Sequence, residues 1–433
     1  MVRIFLLLVC GALLGARPAP GPISLLPTAP ASGPFSPLPS APASEPVVMF
    51  WNLENFFDWR DDGGGEADTE FSSSGARHWT RRRFQAKARA IGKTLVWAGG
   101  IAGRLPDLFG VAEIENAFVL DKLLDEEPLR KLEYGYVHFD SPDRRGIDVG
   151  LLYRRSVFQV VSSRAVPVRA AKDGDTLRTR DILLTCLEDG RGDRWNVLVC
   201  HFPSKYGGGD SDWRREAAAR ILRQVCDSLL AAGEERVLAM GDFNDTPDSP
   251  ALQLLSGPMV NLAAPLAARG QGSIRFEGRW QLIDHMYVSP SLAARSTLEI
   301  LHPPFLTTHD NVHSGDKPLR TYLGPRYTGG VSDHRPILLR LDPPPPSATP
   351  SLASPSPGIS TTSALPPLGI STTSALPPPS ATPTLASPSP GTSTTSALPP
   401  PSATPHAALF PPAFSTPHSP PSPSPGVCTR NRE

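Results

Sequence analysis

The chain has 433 residues with 42 basic and 42 acidic side chains, and 26 of its 51 prolines follow Asp342 while ten lie between Pro18 and Pro46, so only residues 47–342 have globular composition. That segment has 38 basic and 40 acidic residues, which excludes a bulk cationic nucleic-acid binder. The five cysteines form no CxxC pair, which excludes a thiolate zinc site, and no apolar run reaches the ~20 residues a membrane helix needs, so no integral membrane segment is expected.

Residues 1–16 read as a secretory signal: Arg3 is the basic start, Ile4–Leu14 the apolar stretch, Gly15 and Ala16 the small residues before cleavage. Val9 precedes Cys10, which speaks against lipoprotein processing. A secreted protein, extracellular or periplasmic, is expected, and a monomeric one. Residues 17–46 read as a Pro-rich linker. A strand is predicted at Val47–Trp51 and a helix over Thr80–Trp97. Another strand follows at Leu108–Ala112, and then a helix capped by Asn116 with Phe118, Leu120, Leu123 and Leu124 as its apolar positions. Further strands are predicted at Val149–Tyr153, Ile182–Leu187, Trp195–Cys200, Val237–Met240, Ile283–Val288 and Pro336–Leu341. The helix Arg214–Ala232 carries the stripe Ile221, Leu222, Val225 and Leu229. Cys186 and Cys200 fall on strands and read as free core thiols. Residues 343–433 repeat the unit PSATP-x-LASPSPG-x-STTSALPP from Pro346 and again from Pro379, without a Lys, Arg, Asp or Glu up to Val427. They read as a disordered Pro/Ser/Thr-rich tail, either an O-glycosylated stalk or a plain extension. Strands that follow one another without helices predict an α+β fold: two mainly antiparallel sheets packed face to face, with helices outside.

Polar residues gather where the apolar runs stop. Trp51 leads into Asn52-Leu53-Glu54-Asn55, Ala112 into Glu113-Ile114-Glu115-Asn116, and Cys200 into His201. Met240 leads into Gly241-Asp242-Phe243-Asn244, Ile283 into Asp284-His285, and Val331 into Ser332-Asp333-His334. Carboxylates and amides without thiolates suit a hard cation such as Mg²⁺. Imidazole beside a phosphate offsets charge as the phosphorus is attacked.

This ordered set resembles the endonuclease/exonuclease/phosphatase superfamily over Val47–Leu341, with secreted bacterial members most similar through Trp51–Asp58, Asp140–Asp148 and His201–Gly208. The resemblance implies a four-layer α/β/β/α sandwich and a Mg²⁺-dependent phosphoric ester hydrolase, with Mn²⁺ as a substitute. It implies Glu113 as the principal metal ligand, helped by Glu54 directly or through water, with Asp333 supporting the metal. The family often has Asp where Glu54 stands. Asp242 is expected to orient or deprotonate the attacking water, and Asn52 and Asn244 to hold phosphate oxygens. His334 is expected to stabilise the transition state, Asp284 to fix its tautomer, and His201 to be the second histidine on the phosphate. Arg145, Asp148 and Lys205 are expected on the substrate side, within a wider basic set that includes Arg77, Arg81–Arg83, Lys87, Arg180 and Arg320. A nuclease acting on DNA or RNA is the leading expectation. The alternatives are a phosphatase or phospholipase C-like enzyme of inositol phosphates or lipid headgroups, which lacks its Cys-Asp-Arg signature near Asp284, and an inactive anion-binding module.

Overall fold

A computed structural model of the protein describes residues 45–205 and 211–343. The expected signal, nearly all of the linker, the repeat tail and Tyr206–Gly208 lie outside the described residues. In chain order, β1 (Val48–Phe56), β2 (Leu108–Ile114), β3 (Tyr134–His138) and β4 (Asp148–Arg154) begin a first sheet. Next, β5 (Phe158–Val166), β6 (Ile182–Asp189), β7 (Arg194–His201), β8 (Val237–Asp242), β9 (Val260–Asn261) and β10 (Asp284–Val288) make a second. Finally β11 (Ser296–Ile300) and β12 (Ile337–Leu341) return to the first. The spatial orders are β11-β12-β1-β2-β4-β3 and β9-β10-β8-β7-β6-β5. Each sheet is antiparallel except for one central pair, β1/β2 in the first and β7/β8 in the second.

The period-2 alternation of these strands divides the interior into three layers. Val48, Phe50, Leu108, Ala112, Val197, Val199, Leu238 and Met240 fill the space between the sheets. The opposite faces of β1 and β2 pack Met49, Trp51 and Val111 against Phe84, Ile91 and Leu95 of α1 (Arg81–Ala102) and against α2 (Ala117–Asp125). Ala239 and Leu198 pack against Leu222, Val225 and Leu229 of α3 (Asp212–Ala231). This is the predicted α/β/β/α sandwich. Thr80 and Asn116 cap their helices by accepting from the Arg83 and Val119 amides. Cys186, Cys200 and Cys226 are free.

Three strands of five or more residues, β3, β5 and β11, had no prediction. All are sheet edges, and the middle of β5 is half-buried throughout. An edge strand packs less side chain, so its hydrophobic pattern is diluted. The central strands also run further than predicted, to Phe56, Ile114, His201 and Asp242. His201 and Asp242 therefore sit inside a hydrogen-bonded ladder and not in loops beyond it.

Candidate active site

Strand alternation assembles one half of the site. On β7, β8 and β10 the residues facing the other sheet include Val199, Met240 and Met286, and continuing that phase brings His201, Asp242 and Asp284 to the same face. The register pairs Asp242 with His201 on one side and with Asp284 on the other, so the three form a row across adjacent strands. Gly241 permits this row, because a Cβ there would lie 2.2 Å from the Cys200 carbonyl oxygen. From the facing sheet, Asn52 donates to Asp242 Oδ2 at 2.9 Å. The Asn244 amide donates to Asp242 Oδ1 at 2.8 Å. His334 completes the set: its Nδ1 is 2.8 Å from Asp284 Oδ2 and its Nε2 is 3.7 Å from Asp242 Oδ2, while His201 Nε2 is 3.6 Å from the same oxygen. The His334 backbone is fixed on both sides. Its N–H donates to Ser332 Oγ, which donates to the Asn52 carbonyl, and its carbonyl accepts from the Trp51 indole at 2.9 Å.

The other half breaks alternation. Val111 faces α1 and Ala112 faces the second sheet, yet Ile114 faces α1 again. The phase is reset because Glu113 bulges out of register with both β1 and β4 and has φ of 60°. Opposite it on β1, Glu54 and Asn55 have φ of 48° and 53°, and in the other half Asn244 has 51°. Left-handed backbone at a non-glycine residue costs roughly 1–3 kcal/mol, so the surrounding contacts must hold these residues in place. Glu113 Oε2 accepts from the Asn55 amide at 2.7 Å and from Arg145 Nη2 at 3.3 Å. Arg145 also donates to the Asn55 side chain. Glu54 Oε1 accepts from Arg320 Nε at 2.8 Å and Oε2 from the Thr321 amide at 3.1 Å, and Arg320 bridges on to Asp333 at 3.0 Å. Beneath them the buried Lys87 donates to the Glu54 carbonyl and to Thr321 Oγ1.

Burial and charge set distinct protonation states. Burial and the Asp284 charge push Asp242 up to about 7, against His334 and the bonds from Asn244 and Asn52. Burial alone would lower His334, but Asp284 and Asp242 hold it well above the ordinary imidazole range. Burial, with Arg180 nearby, pushes His201 well below that range, so it is neutral. Burial would raise Glu113, yet the Arg145 charge and the Asn55 amide hold it well below the usual carboxylate range. An acid–base pair, a neutral imidazole and an ionised carboxylate thus meet at the end of the sandwich where both parallel strand pairs finish.

The sequence model of the Endonuclease/Exonuclease/phosphatase family matches residues 47–343. The chain belongs to this family. Its members are phosphoric ester hydrolases that generally use a divalent cation. Among solved structures, a mannosyl-6-phosphatase of Bacteroides thetaiotaomicron is similar at 17% identity and TM-score 0.45, over 69% of this chain and 100% of that one. The human Nocturnin catalytic domain is similar at 17% and 0.43, over 69% and 94%. D. rerio TDP2 complexed with a single-strand DNA product is similar at 14% and 0.42, over 69% and 98%. No curated protein matches the chain.

As a member of the endonuclease/exonuclease/phosphatase family, the chain fits a hard cation at Glu113. The site's acid and amide donors are oxygen-based, and Glu113 Oε1 has only long contacts, 3.5 Å to Arg145 and 4.0 Å to His201. Glu54 and Asp333 share an arginine partner in this structure. Both are engaged by Arg320, and among the described residues Glu54, Glu113 and Asp333 form no group of ligand oxygens within 4.8 Å. Arg145 reaches the site but Asp148 does not. Asp148 is 4% exposed and holds the loop before β4, accepting from the Ser141 amide at 3.0 Å and pairing with His138 at 3.1 Å. Lys205 also stands apart, paired with Asp245 at 2.8 Å in a cleft beside α3 with Arg215 and Asp212. Asn244 turns its side-chain amide to the Phe202 carbonyl at 2.9 Å, so only its backbone serves Asp242. Three residues were legible only as members of a basic set or not at all. Arg180 clamps the His201 and Phe202 carbonyls to Asp143, and Lys87 and Thr321 anchor Glu54. Thr321 carries no sequence signal, because its partners are fixed by chain crossings alone.

Proposed function

We propose that the protein is an exported, Mg²⁺-dependent phosphodiesterase that hydrolyses nucleic acid by in-line attack of water. The observation that carries this reading is the pair of imidazoles facing one carboxylate, with His201 and His334 Nε2 at 3.6 and 3.7 Å from Asp242 Oδ2. Asp242, poised near neutrality, takes the proton of the attacking water. The cationic His334 faces the phosphate oxygens on which charge develops, held by Asp284, and the neutral His201 binds the same phosphate from the other side. Asn52 and Asn244 orient Asp242. Glu113 would hold the cation, Mg²⁺ or Mn²⁺ in its place, which supplies Lewis-acid polarisation of a phosphate oxygen. Glu54 and Asp333 position Arg320. The side chains of Arg145 and Arg320 are 41% and 46% exposed on either side of these carboxylates, which suits contacts to the phosphates flanking the scissile one. The signal-like residues 1–16 support export.

The test is an assay series on purified protein with plasmid DNA, RNA, an inositol polyphosphate and sphingomyelin, each with Mg²⁺ and with EDTA. Cleavage of DNA or RNA that EDTA abolishes is expected. Turnover confined to the inositol phosphate or sphingomyelin would move the protein to the phosphatase or phospholipase C-like class, and no turnover of any substrate would leave an anion-binding module.

A further inference from the structure

The loop after β1 carries an acidic cluster that the reaction does not use. Asp68 is fully buried; its Oδ2 accepts the N–H groups of Asp62, Gly63 and Gly64 at 3.0, 2.7 and 3.0 Å. Its Oδ1 is buried with no hydrogen-bond partner among the described residues. Glu115, just beyond β2 and 4% exposed, repeats the arrangement. Its Oε2 accepts from the Asp58 amide at 2.7 Å, and its Oε1 is buried without a partner. Asp68, Glu115 and the exposed Asp62 offer oxygens that all lie within 4.8 Å of one another. Asp58 adds a fourth carboxylate, and Arg60, bound to Asp58 at 2.6 Å and Asp62 at 3.2 Å, is the cation paired with the cluster. Asp68 Oδ1 and Glu115 Oε1 are thus two buried oxygens without a donor in one cluster; burial pushes the Glu115 carboxyl up to about 8, and a cation bound among these oxygens would remove the cost of ionising it.

We propose that Asp62, Asp68 and Glu115 bind Ca²⁺ at a structural site separate from the Glu113 centre. The donors are all oxygens with no imidazole or thiolate, which selects a hard cation. They come from an irregular glycine-rich loop and a strand end, a geometry that Ca²⁺ accepts more readily than the octahedral Mg²⁺. The site has a consequence for the active centre. The same loop grips the segment that carries Arg145: the Glu66 and Ala67 amides donate to the Arg144 and Arg145 carbonyls at 2.8 and 3.4 Å. Gly65 packs so closely that a Cβ would lie 2.4 Å from the Gly146 nitrogen. Ca²⁺ thus makes Arg145 a residue positioned from a distance, and its removal raises KM more than it lowers kcat. That kinetic consequence rests on the proposed phosphodiesterase reading; the binding site does not.

The test uses the full chain, stripped with EGTA, in the Glu113→Gln background so that the active centre contributes little binding. Titration calorimetry is expected to show one bound Ca²⁺, and scanning calorimetry a rise in Tm with Ca²⁺ exceeding that with equal Mg²⁺. Asp68→Asn is expected to abolish both responses. Should that variant fail to fold, Asp62→Asn carries the test, because Asp62 is exposed: it is expected to weaken Ca²⁺ binding by about tenfold with the Tm in EGTA unchanged. Absence of Ca²⁺ binding in the Glu113→Gln chain, or full-strength binding by Asp62→Asn, overturns the site. Equal Tm rises with Mg²⁺ and Ca²⁺ overturn the assignment to Ca²⁺.

Discussion

Glu113 and Asp242 invite comparison. Each lies near the end of a strand in the central parallel pair of its sheet, and each faces the other sheet's functional residues with its side chain no more than 12% exposed. Burial pushes both carboxyls upward. Glu113 nevertheless stays well below the usual range, whereas Asp242 rises to about 7. The difference lies in the neighbours. Glu113 meets the guanidinium of Arg145, while Asp242 shares the positive charge of His334 with a second carboxylate, Asp284. Burial therefore does not assign a role to a carboxylate; the balance of charges around it does. One half of the site keeps an ionised acid ready for a cation, and the other keeps an acid poised to exchange a proton.

The comparison breaks most visibly at Glu113. Glu113→Gln removes the charge with little change of volume, so activity at ordinary Mg²⁺ should fall at least ~10³-fold and recover in part at high Mg²⁺ or with Mn²⁺. Steady-state kinetics across a Mg²⁺ series checks this; full activity at low Mg²⁺ would place the cation elsewhere. In the other half, His334→Ala should lower kcat at least ~10²-fold with KM little changed, because its charge matters most in the transition state. Asp284→Asn should lower kcat about tenfold in the same direction. The two are expected to be non-additive in a kinetic double-mutant cycle, since they damage one unit. Independent multiplication of the two losses would make Asp284 a structural carboxylate.

The pH profile sharpens the contrast further. Asp242 must lose its proton to act as a base, so kcat/KM should climb as pH rises through about 7 and then level, and a nearby cation moves this limb lower because it favours the carboxylate. Glu113, already ionised, adds no limb near neutrality. A profile flat from pH 5 to 8 would remove Asp242 from proton transfer. The smallest effect is expected at Trp51→Phe, which deprives the buried His334 carbonyl of its indole donor. The cost should be about 1–3 kcal/mol, read by denaturant unfolding.

Much of the site was legible because strand periodicity is local. Val197, Val199 and His201 alternate toward the facing sheet, as do Leu238, Met240 and Asp242, and a reader of the sequence sees both runs. Asn52, His201, Asp242, Asp284 and His334 accordingly meet as expected. Lys205 and Asp148 misled because adjacency in sequence to a site residue says nothing about direction. Lys205 follows His201 by four residues, yet turns to Asp245, and Asp148 lies within β4 but bonds back to its own loop. The resemblance implies Glu54 as a helper of the metal, directly or through water, and nothing near it in the sequence announces its partner Arg320, which is 266 positions away.

The sequence by itself determined the fold class, the existence of the central strands and the residue types gathered at their ends, because hydrophobic period and turn chemistry act over a few residues. Only the tertiary structure decided that Glu113 is ionised and that Asp242 is raised to near neutrality. Those states depend on burial and on charges brought together by strand pairing and by the Glu113 bulge, and electrostatic energy falls with distance in space and not with separation along the chain.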